Sequence, residues 1–151
     1  MNYEILVRAK ILRRRQLNIP KILSLINFAE KNVKSARSIP LLEGTSTIIF
    51  REIYESIRQL GDASWRLKGY EPSNHEIALD GLKELDIKDK VKLNYLSMFK
   101  KIRHDANYEG LSASISHVNE ITNFWDSCGK EAIKIMKDYI YKLLNKINEQ
   151  E

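Results

Sequence analysis

The sequence is poor in the residues that staple or break a chain. Its 151 residues include one cysteine, three prolines and six glycines. A lone Cys128 cannot form an internal disulfide, and no His or Asn motif accompanies it as a catalytic thiol would need. It falls at helical spacing among apolar residues, where a small core residue belongs. The three histidines, His75, His104 and His117, stand far apart with no HxxxH or CxxC pairing. No metal site is therefore expected, and nothing points to a cofactor. No apolar run reaches the roughly 18 to 20 residues that a membrane span needs. The opening stretch MNYEILVRAKILRRRQ carries its basic cluster after its apolar part, the reverse of a signal peptide. A soluble cytoplasmic protein with no membrane partner is the expectation.

What is present is helical. The chain is 43% hydrophobic and 30% charged, which suits a folded domain and excludes a disordered one. Its length fits a single domain, 1–151, with a sizeable core. Residues 3–17 read as a short amphipathic helix, so 1–18 is an N-terminal helical extension. Asn18-Ile19-Pro20 breaks it, and Pro is tolerated in the first turn of the next helix. That helix runs to about Ser38, with Ile22, Ile26, Ala29 and Val33 on one face. A long helix follows from Thr45 to Leu67, with Ile49, Ile53 and Leu60 on a stripe that Phe50, Tyr54 and Ile57 widen. Lys68-Gly69 ends it. Ser73-x-x-Glu76 has capping-box spacing and starts another helix. A further helix spans 90–105. The last covers about 114–147, roughly 50 Å at 1.5 Å per residue. That is long for a domain of this size, so it either kinks at Gly129 or projects toward another chain. No strand is predicted. The fold class is all-α: an antiparallel up-and-down bundle of four to five helices over 20–147, with an additional N-terminal helix.

The net charge of +5 permits a polyanionic partner without demanding one. Two basic clusters stand out. Arg13, Arg14 and Arg15 form the first. Lys100, Lys101 and Arg103, with His104 beside them, form the second and open the polar stretch KIRHDANYEG.

Two motifs fit together. LKGYEPSNHE, at 67–76, resembles a signature of the HEPN family of small helical proteins, in which a long helix ends in a G-Y-x-P turn and a Ser/His pair opens the next. IRHDANYEG, at 102–110, resembles the family's R-x(4–6)-H element. Arg103 and His104 match its first half, and Tyr108 stands where the second His would be. Arg103, Ala106 and Tyr108 fit an R-x-x-A-x-Y variant of that element. The resemblance covers roughly 20–147. It implies a homodimer with two Arg motifs facing a shared cleft, nucleotide or RNA as ligand, and in some members pairing with a minimal nucleotidyltransferase in toxin–antitoxin modules. Many members are metal-independent endoribonucleases.

The chemistry leaves three functions open. RNA cleavage without a metal needs a proton acceptor, a proton donor and a cation for the phosphate. Arg103 supplies the cation, and His104 and Tyr108 are the candidate proton carriers, although a phenol with a pKa near 10 is a poor base at pH 7. Binding asks for less: Arg103, Lys100, Asn107, Tyr108 and His75 suit phosphate contacts and base stacking. A helical dimer that serves only as a scaffold is the third. In that case Arg103 pairs with Glu52 or Glu55, Tyr108 is a buried wedge, Asn107 ends its helix, and His75 trims the polarity of a first turn. His117 reads as a surface or interface residue.

Overall fold

A computed structural model describes residues 2–150. Four long helical segments pack around one core, and their directions follow from the pairs that join them. Helix α2 (Ile19–Arg37) is capped by Asn18, whose side chain accepts from the Lys21 N–H, and carries Pro20 in its first turn. It buries Ile22, Ile26, Ala29 and Val33 against helix α3 (Ser46–Leu67), which buries Ile49, Ile53, Ile57 and Leu60. The last segment is helical throughout: α6 (Ile115–Phe124), a π turn (Trp125–Gly129) and α7 (Lys130–Gln150).

Arg37 pairs with Asp126 and Glu30 with Lys137, so α2 and the last segment run antiparallel. Ser46 donates to the Ala113 carbonyl and Phe50 faces His117, so α3 and α6 run the same way. Helix α5 (Tyr95–His104) opposes α3: Arg51 reaches the Ala106 carbonyl, and Arg103 sits over Tyr54. The result is an up-and-down bundle, as the apolar periodicity predicts. A run of edge-on aromatics, Phe50, Phe99 and Phe124, ties α3, α5 and α6 at centroid distances of 6.1 and 5.4 Å.

The N-terminal segment departs from expectation. Helix α1 ends at Arg8 (Tyr3–Arg8), Lys10 takes φ 60°, and Leu12–Arg14 form strand β1. This strand pairs antiparallel with β2 (Tyr70–Pro72), in register Leu12 with Pro72 and Arg14 with Tyr70. The predicted helix over 3–17 and the absence of strands are both corrected here. The reason is tertiary. Trp65 has no exposed surface, and the ribbon covers it: Leu12 and Ile77 complete a small second core, and Tyr3 and Tyr70 pack edge-on around the indole. A continuous helix would carry Leu12 away from that indole.

Other boundaries shift by their caps. Asn74, not Ser73, caps α4 (His75–Asp80) by accepting from the Ile77 N–H. A 3-10 turn follows at Gly81–Glu84, and another at Lys90–Asn94 leads into α5. Asn107 does not end its helix. A π turn covers Asp105–Glu109, and Gly110 closes it in the left-handed conformation at φ 67°. Gly61 and Gly81 let α3 meet the α4 segment backbone to backbone: a Cβ on Gly61 would lie 1.9 Å from the Ala78 carbonyl oxygen. Cys128 is buried in the core. The expected irregularity at Gly129 takes the form of the π turn, with Trp125 packed against the glycine. Beyond it Tyr139, Tyr141, Leu144 and Ile147 on α7 remain exposed. Among the described residues no helix is long and apolar enough to cross a membrane.

Candidate functional site

The chemistry gathers in one cleft of about 400 Å³ between α3, α4 and α5. Helix α5 presents Leu96, Ser97, Lys100, Lys101, Arg103 and His104, whose spacing of three and four places them along one side. Helix α4 faces them with His75, Glu76, Leu79 and Asp80, and Lys83 follows on the 3-10 turn. Tyr54 of α3 closes the floor and is 1% exposed. Of the sequence-predicted residues, Arg103, His104, Lys100 and His75 therefore share one cleft. Asn107 and Tyr108 lie outside its lining, on the exposed π turn beyond it.

The lysines of the cleft are already engaged. Lys100 pairs with Glu76 at 3.0 Å and Lys83 with Asp80 at 3.0 Å. Lys101 pairs with Asp105, also at 3.0 Å. Arg103 forms no ion pair among the described residues, and its half-buried guanidinium carbon stands 5.8 Å from the centre of the Tyr54 ring. The expected pairing of Arg103 with Glu52 or Glu55 does not form. Arg58, one turn along α3, takes Glu55, with its Nε 3.0 Å from the carboxylate, and Glu52 is exposed. Burial pushes the Tyr54 hydroxyl above its ordinary value, and nearby Arg103 works against that rise.

His75 sits in a positive field. Burial first, then Arg58 and Arg103, hold its pKa below 6.5. At pH 7 its imidazole is therefore neutral and can accept a proton or a hydrogen bond. Tyr108 is not a buried wedge: it is 69% exposed, and its ring lies 4.9 Å from that of His104 at a tilt of 47°. His117 completes a capping box with Ser114 at the start of α6, and is half-buried against Phe50. Among the described residues no three His, Cys, Asp or Glu side chains gather as metal ligands.

No family model, curated protein or solved structure matches the chain.

Sequence reasoning missed Tyr54, Arg58 and the acidic pair of α4. Tyr54 and Arg58 are four apart at the edge of the α3 stripe, and Glu76 and Asp80 four apart on α4. Both spacings are visible in the sequence, but neither says which helix lies opposite. The cleft can hold an anion against the free guanidinium, accept a hydrogen bond at His75, and shelter an apolar ring edge at Leu79 and Leu96.

Proposed function

We propose that this chain is a HEPN-like helical protein that binds nucleotide or RNA in the cleft between α3, α4 and α5. In this reading it is the binding half of a toxin–antitoxin type module with a minimal nucleotidyltransferase, and it acts as a homodimer. One observation carries the ligand class. Among the described residues Arg103 is the cleft cation with no carboxylate partner, and it rests over a buried tyrosine ring. A guanidinium left free in a half-buried place is poised for a phosphate, which it meets with two parallel N–H donors. Neutral His75 adds an acceptor beside it, suited to a ribose hydroxyl. Exposed Tyr108, leaning on His104, offers a face for a base just past the rim.

The test is titration of labelled single-stranded RNA at two salt concentrations, with and without Arg103→Ala, the product then being run on a denaturing gel. Binding that weakens with salt and falls about tenfold in Arg103→Ala, with the RNA left whole, is the expected result. Wild-type-like binding by Arg103→Ala would overturn the assignment. Sedimentation equilibrium of the same sample tests the homodimer.

A second reading, metal-independent RNA cleavage, is favoured by the state of His75. A neutral imidazole beside a guanidinium is what transesterification asks of a base. His75 would take the proton of the 2′-hydroxyl as its oxygen bonds to phosphorus, and His104, acting as the general acid, would give one to the departing 5′-oxygen. Cut RNA on the gel, whole with His75→Gln, decides for this reading.

A further inference from the structure

The positive charge of the chain does not reside in the bundle. Residues 2–15 hold Arg8, Lys10, Arg13, Arg14 and Arg15 against Glu4 alone, a net of +4 out of the whole chain's +5. The other residues, bundle and cleft included, are left with a net of +1. The ribbon fixes these cations in place. Arg13 and Arg15 are two apart and lie on one face of the chain, as alternate residues of an extended segment do. Both stand beside Glu71 on β2: Arg13 is its cross-strand neighbour, and Arg15 bonds it at 2.5 Å. Arg66 approaches the same carboxylate at 3.5 Å. Glu4 is likewise flanked by Arg14 and Arg8. Each carboxylate is outnumbered, and both are held below their ordinary pKa by these guanidiniums.

The ribbon also leads to the cleft. The Ser73 N–H donates to the Ile11 carbonyl at 3.0 Å, Asn74 caps α4, and His75 lines the cleft. From Glu71 to His75 is four residues, a span of at most about 14 Å. Between the two lie half-buried Pro72 and exposed Ser73 and Asn74.

We propose that the N-terminal ribbon is a second phosphate-binding surface continuous with the cleft, so that the ligand is a single-stranded RNA several nucleotides long and not a free nucleotide. The proposal rests on the reading of the cleft as a nucleotide or RNA site. The ribbon suits a soluble polyanion better than a lipid surface. Leu12 is buried, and Leu6, Val7 and Ile11 pack inward toward Trp65, so Ile5 is the one large apolar side chain that residues 2–15 leave exposed beside five cations, little for insertion into a bilayer. Backbone tracking by spaced cations needs no sequence readout, so the ribbon sets the length of RNA bound rather than its sequence.

The experiment measures binding of a labelled oligouridylate dodecamer and of the dinucleotide pUpU across a salt series. It uses the full chain, the double variant Arg8→Gln/Arg13→Gln, Arg103→Ala, and a charge-matched control, Lys142→Gln/Lys146→Gln on α7. Arg8 and Arg13 are exposed and form no ion pair among the described residues, so the double variant keeps the fold, which near-ultraviolet circular dichroism checks. The dodecamer is expected to bind at least about tenfold more tightly than pUpU, with a salt slope shallower by about 1.4 in the double variant, 0.7 for each lost phosphate contact. The control variant is expected to match the wild type. If the dodecamer binds no more tightly than pUpU, or keeps its slope in the double variant, the ribbon is not part of the track, and the cleft reading survives. If neither RNA binds, both fall. Co-sedimentation of the wild type with phosphatidylserine vesicles, lost in the double variant while RNA goes unbound, would assign the ribbon to membranes instead.

Discussion

Single side chains decide the character of the cleft and of the small second core, and one in each is open to titration. His75 has its pKa lowered by burial and by two guanidiniums. The unfolded chain takes up that proton near pH 6.5, before the folded chain does. Stability from this source is full above about pH 6.5 and declines as the pH falls below it. Denaturant midpoints measured from neutral to mildly acid pH should therefore fall less steeply for His75→Gln than for the wild type. Tyr3 behaves in the opposite range. Its hydroxyl donates to Glu84 at 2.7 Å, and burial followed by that carboxylate pushes its pKa up to about 12. A raised pKa adds stability below the ordinary value of 10, and the gain is lost as the pH climbs through 12. Spectrophotometric titration should show a late step to which Tyr3 and Tyr54 both contribute, and Tyr3→Phe should reduce it by one tyrosine. Much of this residue-level detail lay in the sequence only as residue type. Arg103, His104, Lys100 and His75 are recognisable as a set because a positioned cation and imidazoles suit phosphate. The pairing of Arg58 with Glu55 follows i, i+3 spacing on one helix, but that Arg103 lies over Tyr54 and not beside a carboxylate depends on how two helices pack, which no spacing rule expresses.

At the scale of elements, close backbone crossings and caps set the geometry. Gly61 and Gly81 meet where α3 passes the end of α4, and a Cβ on Gly81 would lie 2.2 Å from the Gly61 carbonyl oxygen. Gly61→Ala should destabilise by about 1–3 kcal/mol, as overpacking of a tight core does. It should also disturb the cleft, because α4 carries His75. Gly110→Ala meets nothing within 4 Å, yet its φ of 67° is strained for any side chain, so a loss of about 1 kcal/mol is expected. Thermal melts of the two variants side by side separate steric from conformational cost. The long helices were legible because Ile and Leu recur every three or four residues along α2, α3 and the last segment. Strand β1 was not, because residues 3–17 also carry a helical apolar pattern, and the indole that overrides it comes some fifty residues later. The Ser73-x-x-Glu76 spacing points to Ser73 as the cap. Packing of Ile77 beneath Trp65, whose Nε1 donates to the Ile77 carbonyl at 2.5 Å, selects the start that Asn74 caps.

For the whole molecule, the two tryptophans report the state of the two cores. Trp125 is 3% exposed in the main core and Trp65 is fully buried beneath the ribbon. Leu12→Asp should detach the ribbon and shift part of the fluorescence to the red while the helical circular dichroism stays, since the bundle core does not use Leu12. Loss of both signals together would mean that ribbon and bundle fold as one cooperative unit. The ribbon also puts the chain's growth and its folding out of step. Residues 12–14 are synthesised well before their strand partners, residues 70–72. At roughly 5–20 residues per second, translation keeps β1 waiting some 3–12 seconds before a partner exists. During that interval Leu6, Val7, Ile11 and Leu12 have no indole to cover, while the α2–α3 pair, formed from neighbours in the chain, can already assemble. Closing a loop of nearly sixty residues then makes the ribbon the last part to arrive and, in native-state hydrogen exchange, the first whose amides should open. A segment made before the bundle thus completes the fold after it, and with it the approach to His75.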